Sequence, residues 1–490
     1  MANRRKGGRK SAAPLASLTN FVRSLGGPVE DRGQSRIYWG LLAYLGLVFL
    51  MGGAARYDVQ SLIVLRPLGV LACGFALLSL RAEHLRRYRF MAIMAALIVA
   101  LAAAHLIPLP PAIWQALPGR ELVVQVEAAA GLKDVWRPFT LTPTDGWNAF
   151  FSLFVPLAAF LMAIQLDAAH LRKLVLPLLM IGALSGLFGI VQAVGNPGGP
   201  FYLYRITNNG SAVGLFSNRN HQALFLIAMV PILAFYASQA VKTENAKKMR
   251  LAAAIGALVM LVPLILVTGS RQGLILGLVA LVCGWFIYRT PEVVGVRRRT
   301  ERKSYALAIA GACGMTVLVL LTVMASRAEA LKRLLSTNVA EESRTQAWEV
   351  SARLAIDYLP FGSGSGSFVP VFQRAEPLDF LSHVYFNHAH NDFLEVWLTF
   401  GIPGVLLILA ALSAYIIAVR RVVGRGKGRP VADRLLAVTG AAVILLCGLA
   451  SFVDYPLRVP SIACLFVIAC CWLRTGRIDR SITSGNRNGD

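Results

Sequence analysis

The stretch Asn387-His388-Ala389-His390-Asn391-Asp392-Phe393-Leu394-Glu395 gathers two imidazoles, two amides and two carboxylates at the mouth of an apolar run that continues to Val419. Imidazole changes charge near neutral pH, which makes it the natural group to take a proton from a substrate hydroxyl. Held at a membrane surface, the cluster sits where a lipid-borne substrate meets water. Asp392 and Glu395 also fit the start of a helix resembling a capping box, with Asp in place of Ser or Thr. Their spacing suits that role as well as a catalytic one.

Other polar clusters interrupt the apolar chain. In Phe216-Ser217-Asn218-Arg219-Asn220-His221, the unpaired N–H groups of a helix start and the Arg219 guanidinium together suit an anion, although Ser217 or Asn218 could simply cap the helix. In Thr268-Gly269-Ser270-Arg271-Gln272-Gly273, an arginine between two apolar helices is costly without a partner or a water-filled cavity, which favours a functional Arg271. Arg344, Trp348, Arg353 and Asp357 recur at spacings compatible with an amphipathic helix. Leu359-Pro360-Phe361-Gly362-Ser363-Gly364-Ser365-Gly366-Ser367-Phe368 lacks the Lys-Ser/Thr ending and the βαβ context of a phosphate loop. It reads as a tight turn, with glycines that would let a glycan come close to the backbone. Arg66 either snorkels to the outer interface or faces a polar cavity.

The elements that must position these residues are membrane helices. Of 490 residues, 56% are hydrophobic and 15% charged, with a mean hydropathy of +0.60. The chain is therefore expected to be an all-α polytopic membrane protein. A span needs about 20 apolar residues, and about twelve such runs are present: 37–54, 61–80, 90–107, 147–166, 174–194, 221–240, 251–268, 272–288, 305–325, 393–419, 435–452 and 459–473. With the N-terminus inside, the whole formal excess of +24 falls on the cytoplasmic side, including Arg297-Arg298-Arg299 and Arg420-Arg421. That is the positive-inside pattern, and it puts both termini in the cytoplasm. The charge thus serves the lipid bilayer, not nucleic acid.

The expected layout is a basic cytoplasmic tail (1–36), nine helices within 37–325 with outer loops 108–146 and 195–220, a large outer loop (326–392), three helices within 393–473, and a cytoplasmic tail (474–490). The Pro- and Trp-rich 108–146 loop reads as a structured interfacial cap, and the first apolar run as an uncleaved helix. Cys73, Cys283, Cys313, Cys447, Cys464, Cys470 and Cys471 all fall in apolar runs, with no disulfide or metal spacing.

Ser217-Asn218-Arg219-Asn220, Ser270-Arg271-Gln272-Gly273 and His388-Ala389-His390-Asn391-Asp392-Phe393-Leu394, leading to Phe400-Gly401-Ile402-Pro403-Gly404, resemble in that order the O-antigen ligase and polymerase superfamily of bacterial inner membranes. Arg344 with Trp348 adds a fourth block. The resemblance runs from the first helix to the last, and the histidine and Gly-Ile-Pro-Gly section carries most of it.

The resemblance implies a GT-C-like fold with a large periplasmic loop before the tenth helix. The implied enzyme is a metal-independent, inverting glycosyltransferase without a cofactor. It would move a glycan from undecaprenyl pyrophosphate to a glycan or lipid A core acceptor on the periplasmic face, in lipopolysaccharide or exopolysaccharide synthesis. By similarity His390 is the base, with His388 orienting the site or substituting for it. Arg219 and Arg271 match pyrophosphate-binding positions, Arg344 matches more loosely, and Asn391, Asp392 and Glu395 are supporting residues. His383 reads as an ordinary loop residue. A polymerase of the same superfamily fits the same motifs. A lipid-linked glycan transporter or flippase fits the helix number, but such proteins carry midplane charges and repeated halves, and neither is evident in the sequence.

Overall fold

The computed structural model describes residues 29–241, 243–289, 339–378, 381, 385–424 and 430–475. Within them the long helices are α1 (Val29–Met51), α2 (Ser61–Leu77), α3 (Arg89–Ala104), α4 (Pro143–Ser152), α5 (Phe154–Ala163), α6 (Val175–Val194), α7 (Arg219–Ser238), α8 (Glu244–Val267) and α9 (Arg271–Arg289). After residues outside the description come α10 (Val339–Asp357), α11 (Phe368–Ala375), α12 (Asp392–Gly424), α13 (Val431–Ala450) and α14 (Pro460–Thr475). The strand pairing found is one short antiparallel ladder, Pro108–Leu109 with Arg137–Pro138.

Helices stand at each predicted span except the ninth, 305–325, which lies outside the described residues together with Arg297-Arg298-Arg299, Cys313 and His383. Seven stretches are long and apolar enough to cross a membrane: Pro143–Ala163, Ala168–Val194, α7, α8, α9, α12 and α13. That number is smaller than the predicted twelve. Among the described helices, α2, α3 and α14 are apolar but shorter: the runs 61–80 and 90–107 end in turns after Leu77 and Ala104, whereas α14 covers nearly all of a run, 459–473, that was itself short. The chain turns after Ala104, and a 3-10 turn at Pro456–Arg458 precedes α14.

The core is built around α7, 83% of whose apolar window is buried, whereas only 6% of the α12 window is. A helix apolar on every side belongs inside a bundle or against lipid, and here α7 takes the first place and the lower part of α12 the second. Alternate turns meet at opposite ends. At the histidine end Ser217 N donates to Gly53 O (3.1 Å) and Asp392 N to Ser451 O (2.9 Å). At the other end Arg172 pairs with Asp433 (2.7 Å), and Asp167 N donates to Gln34 Oε1 (3.1 Å). Arg66 is half-buried, and its guanidinium donates to Asn148 Oδ1 (2.8 Å) and Ser152 Oγ (3.0 Å) on α4.

The Gly-rich turn and α12 explain each other. Gly362, Gly364 and Gly366 all have positive φ. The turn bonds to a break in α12 through Ser363 N to Leu398 O (2.9 Å), Gly364 N to Thr399 O (3.0 Å) and Ile402 N to Pro360 O (2.8 Å). At the break Gly401 adopts φ 56°, ψ −146°, and a Cβ there would stand 2.3 Å from Pro360 O. The close approach these glycines permit is therefore to protein backbone, not to a glycan. Gly401→Ala meets both a strained φ and a clash, and is expected to destabilise the fold by roughly 3 kcal/mol. Thermal unfolding in detergent checks this, and an unchanged transition would mean that the break tolerates a side chain.

Candidate functional site

The histidine loop is fixed before its side chains are considered. Trp348 Nε1, on α10, donates to Ala389 O (2.9 Å) between the two histidines. Upstream, Arg56 donates to Tyr385 Oη (2.7 Å). Burial pushes that phenol up to about 12, so it accepts the bond in its neutral form. Downstream, Asn391 Oδ1 accepts from Leu394 N (3.1 Å) and caps α12. The cap is thus Asn391, not Asp392, because the Asp392 carboxylate is committed elsewhere. His390 lies at φ 49°, a region that non-glycine residues rarely occupy and that surrounding structure must enforce.

Each histidine has a carboxylate. His390 Nδ1 lies 3.2 Å from Asp454 Oδ1, whose side chain is fully buried. Asp454 also accepts from Asn220 Nδ2 (2.9 Å) and Tyr455 N (3.0 Å), the kind of donors a buried carboxylate requires. His388 Nδ1 lies 3.0 Å from Glu395 Oε1, and Glu395 accepts in addition from Ala389 N (2.9 Å). Arg458 ties the second pair down by bonding both Glu395 (3.1 Å) and Asp392 (3.1 Å). Asp392 further accepts from Ser451 Oγ (3.0 Å). The Tyr455 ring stands among three imidazoles, with centroids 4.4 Å from His388, 4.9 Å from His390 and 5.0 Å from His221. An imidazole whose Nδ1–H faces a buried carboxylate has Nε2 as its proton-accepting nitrogen, and the carboxylate stabilises the cation that forms.

The arginine motifs join the same network. Arg219 and Arg271 are the first residues of α7 and α9. Asn218 Oδ1 caps α7 by accepting from Asn220 N (2.9 Å). Ser270 Oγ donates to Asn220 Oδ1 (2.8 Å) and accepts from Gly273 N (3.0 Å). Asn220 therefore bridges the start of α9 to Asp454, and through it to His390. Two helix N-termini, each opening with an arginine, converge on the carboxylate that orients the histidine. Side-chain caps take the N–H groups of Arg219, Asn220 and Gly273, so the corner would attract an anion through its helix dipoles and guanidinium charge. Arg344 lies in α10, one turn before Trp348, and its side chain falls outside the described residues.

Behind this network the 105–146 segment, the Gly-rich turn and the α12 break form one block. His105 stacks between Phe139 and Phe400, with centroids at 4.6 and 5.0 Å. Its Nδ1 accepts from Ser365 N (3.0 Å), and Thr140 Oγ1 donates to Ser365 O (2.8 Å).

In the sequence Asn220 and His221 stand only as neighbours in the Arg219 motif, without a role of their own, and Asp454, Tyr455 and Arg458 are not singled out. For the last three a signal exists: the turn between the last two spans carries an acid, a phenol and an arginine. Charged groups that close to the bilayer rarely stand there without a role.

Residues 255–409, from within α8 to the middle of α12, match the family model described as O-antigen ligase. No curated protein matches the chain. The matched segment holds Arg271, both histidines of the motif and Gly401, while Arg219 and Asp454 lie outside it. Over residues 255–409 the chain is thus similar to O-antigen ligases.

Proposed function

We propose that the protein is an inner-membrane, GT-C-like glycosyltransferase of the O-antigen ligase type, working on the periplasmic face without a metal ion. Its donor is a glycan on undecaprenyl pyrophosphate and its acceptor a hydroxyl of a glycan or of lipid A core. The observation that carries this reading is the chain of bonds from His390 through Asp454 and Asn220 to the N-termini that bear Arg219 and Arg271. His390 Nε2 takes the proton of the acceptor hydroxyl as its oxygen attacks the anomeric carbon. The bond from that carbon to the pyrophosphate oxygen breaks on the opposite face, which inverts the centre, and the leaving pyrophosphate keeps the electron pair. Arg219, Arg271 and Arg344 receive the growing charge with bidentate hydrogen bonds. Asn391, Asp392 and Glu395 keep the loop in place, Asn391 as the cap and the acids through Ser451 and Arg458.

Transfer by purified protein from a polyprenyl-pyrophosphate-linked repeat to an acceptor tests the reading directly. In cells lacking the gene, long lipid-linked chains beside uncapped core indicate ligase activity, whereas capped core with single repeats indicates polymerase activity. Activity is expected to persist in EDTA, since Asp392 and Glu395 are held by Arg458, Asp454 is held by Asn220 and Tyr455 N, and arginines supply the charge a divalent ion would otherwise bring. Loss of transfer in EDTA with recovery on adding Mg²⁺ would refute metal independence.

The proposed topology puts Lys133 and Gln373, both exposed, on the periplasmic side and Arg86, also exposed, in the cytoplasm. Cysteines at the first two positions should react with an impermeant maleimide on intact inner membrane, and one at Arg86 only after the membrane is opened. The reverse pattern inverts the orientation.

A further inference from the structure

A cavity of about 1010 Å³ lies between α3, α5, the lower half of α12, α13 and α14, with walls that include Met94, Ile98, Pro156, Phe160, Ala414 and Phe466. It is far from the histidines. The α12 residues that line it begin at Ala410, about 18 residues beyond Asp392, or roughly 27 Å along a helix. That is close to the ~30 Å thickness of the hydrocarbon core. The volume stands at the upper end of the ~300–1,000 Å³ usual for small-molecule sites.

The polar groups of the cavity have one sign. Arg89, Arg421 and Arg474 line it, and no acid does so among the described residues. Arg89 and Arg421 are exposed, while Arg474 is braced by donating to Arg87 O at 2.9 and 2.7 Å. Tyr88 also lines the cavity and is 1% exposed, and its buried hydroxyl has no hydrogen-bond partner among the described residues.

We propose that this cavity holds an anionic phospholipid of the cytoplasmic leaflet, with its acyl chains among the apolar walls and its phosphate against Arg89, Arg421 and Arg474. An apolar body with a single anionic end matches both the walls and the basic rim. A partner helix brings no anion to that rim. The tail of a polyprenyl donor, whose pyrophosphate lies at the histidine end in the function proposed above, would reach the walls and leave the rim without a purpose.

Native mass spectrometry of the full-length protein, titrated in detergent with phosphatidylglycerol or phosphatidylethanolamine of identical chains, tests this. Its readout is lipid retention, so it stands or falls independently of glycan transfer. Wild type should retain phosphatidylglycerol with a preference of about fivefold for each arginine engaged. The Arg89→Gln/Arg421→Gln double substitution should bring the two lipids close to parity. Ala414→Trp, which fills the cavity and leaves the rim intact, should remove the tightly held lipid of either kind. Both variants should elute as monodisperse protein, and either alone is sufficient to judge the outcome. Equal retention of the two lipids by wild type overturns the proposal, as does a preference that survives the variants. Co-purification of a polyprenyl phosphate displaced by Ala414→Trp but untouched by the arginine changes assigns the cavity to a donor tail, which also overturns it.

Discussion

His390→Ala is expected to lower glycan transfer by about 10² to 10⁴ while leaving donor binding nearly intact, the usual worth of a positioned general base. The substitution removes the proton acceptor and nothing that holds pyrophosphate, so the loss belongs in kcat. Asp454→Asn should produce a loss of the same order. The amide preserves shape but cannot stabilise the imidazolium, and it leaves the ring free to present the other tautomer. Because the two residues act as a unit, the double variant should be little worse than His390→Ala alone. Additive losses would show that Asp454 has a separate task.

Protonation removes the base, so the wild-type rate should fall as pH drops, and that fall should be missing from the residual activity of His390→Ala. His388→Ala should cost less, since the Glu395 partner of that ring also shares its charge with Arg458. If His388→Ala is inactive and His390→Ala has full rate, the two roles exchange. If both variants keep full rate, the imidazoles are structural and the base lies elsewhere.

The histidine motif and the two arginine motifs were legible because polar groups at the ends of apolar runs are expensive and therefore conspicuous. Their supporting residues were less so. Sequence reasoning assigns support to neighbours along the chain, Asn391, Asp392 and Glu395. The carboxylate that faces His390 is Asp454, 64 residues away, brought in by the turn between α13 and α14. Nothing local marks that pairing, which depends on how the helices pack. Asp392, adjacent in sequence to the motif, turns away to Arg458 and Ser451.

The same limit applies to the Gly-rich turn. Its glycines announce unusual backbone angles, but not that Gly362 approaches Thr399–Gly401, Gly364 approaches Thr140 and Gly366 approaches Asp145. Hydropathy reads α12 as one continuous run, because apolar content is blind to the φ of Gly401. The helix positions themselves were largely legible, as each depends on a local run of apolar residues, whereas the full membrane crossing expected of α2 and α3 counted residues that the chain spends on turns.

Arg271→Lys is expected to lose most activity, roughly 10- to 100-fold in kcat/KM, despite keeping the positive charge. Arg271 opens α9 beside Ser270, whose hydroxyl bonds Asn220, so its stem starts within the network that orients His390. A guanidinium there can offer two parallel N–H groups to a pyrophosphate, whereas an ammonium on a flexible stem offers a point charge. The same change at Arg219 should cost a comparable amount, because the first N–H groups of α7 are taken by Asn208 and Asn218 and leave the guanidinium to carry the load. Donor affinity and turnover, measured separately, decide what the loss means. A fall in kcat with donor binding retained indicates stabilisation of charge as the pyrophosphate leaves, whereas a rise in KM with kcat unchanged indicates ground-state binding alone. Near wild-type turnover in Arg271→Lys removes the two-pronged clamp. A variant that merely unfolds earlier, with normal turnover per folded molecule, makes Arg271 a structural arginine that holds α9 in place.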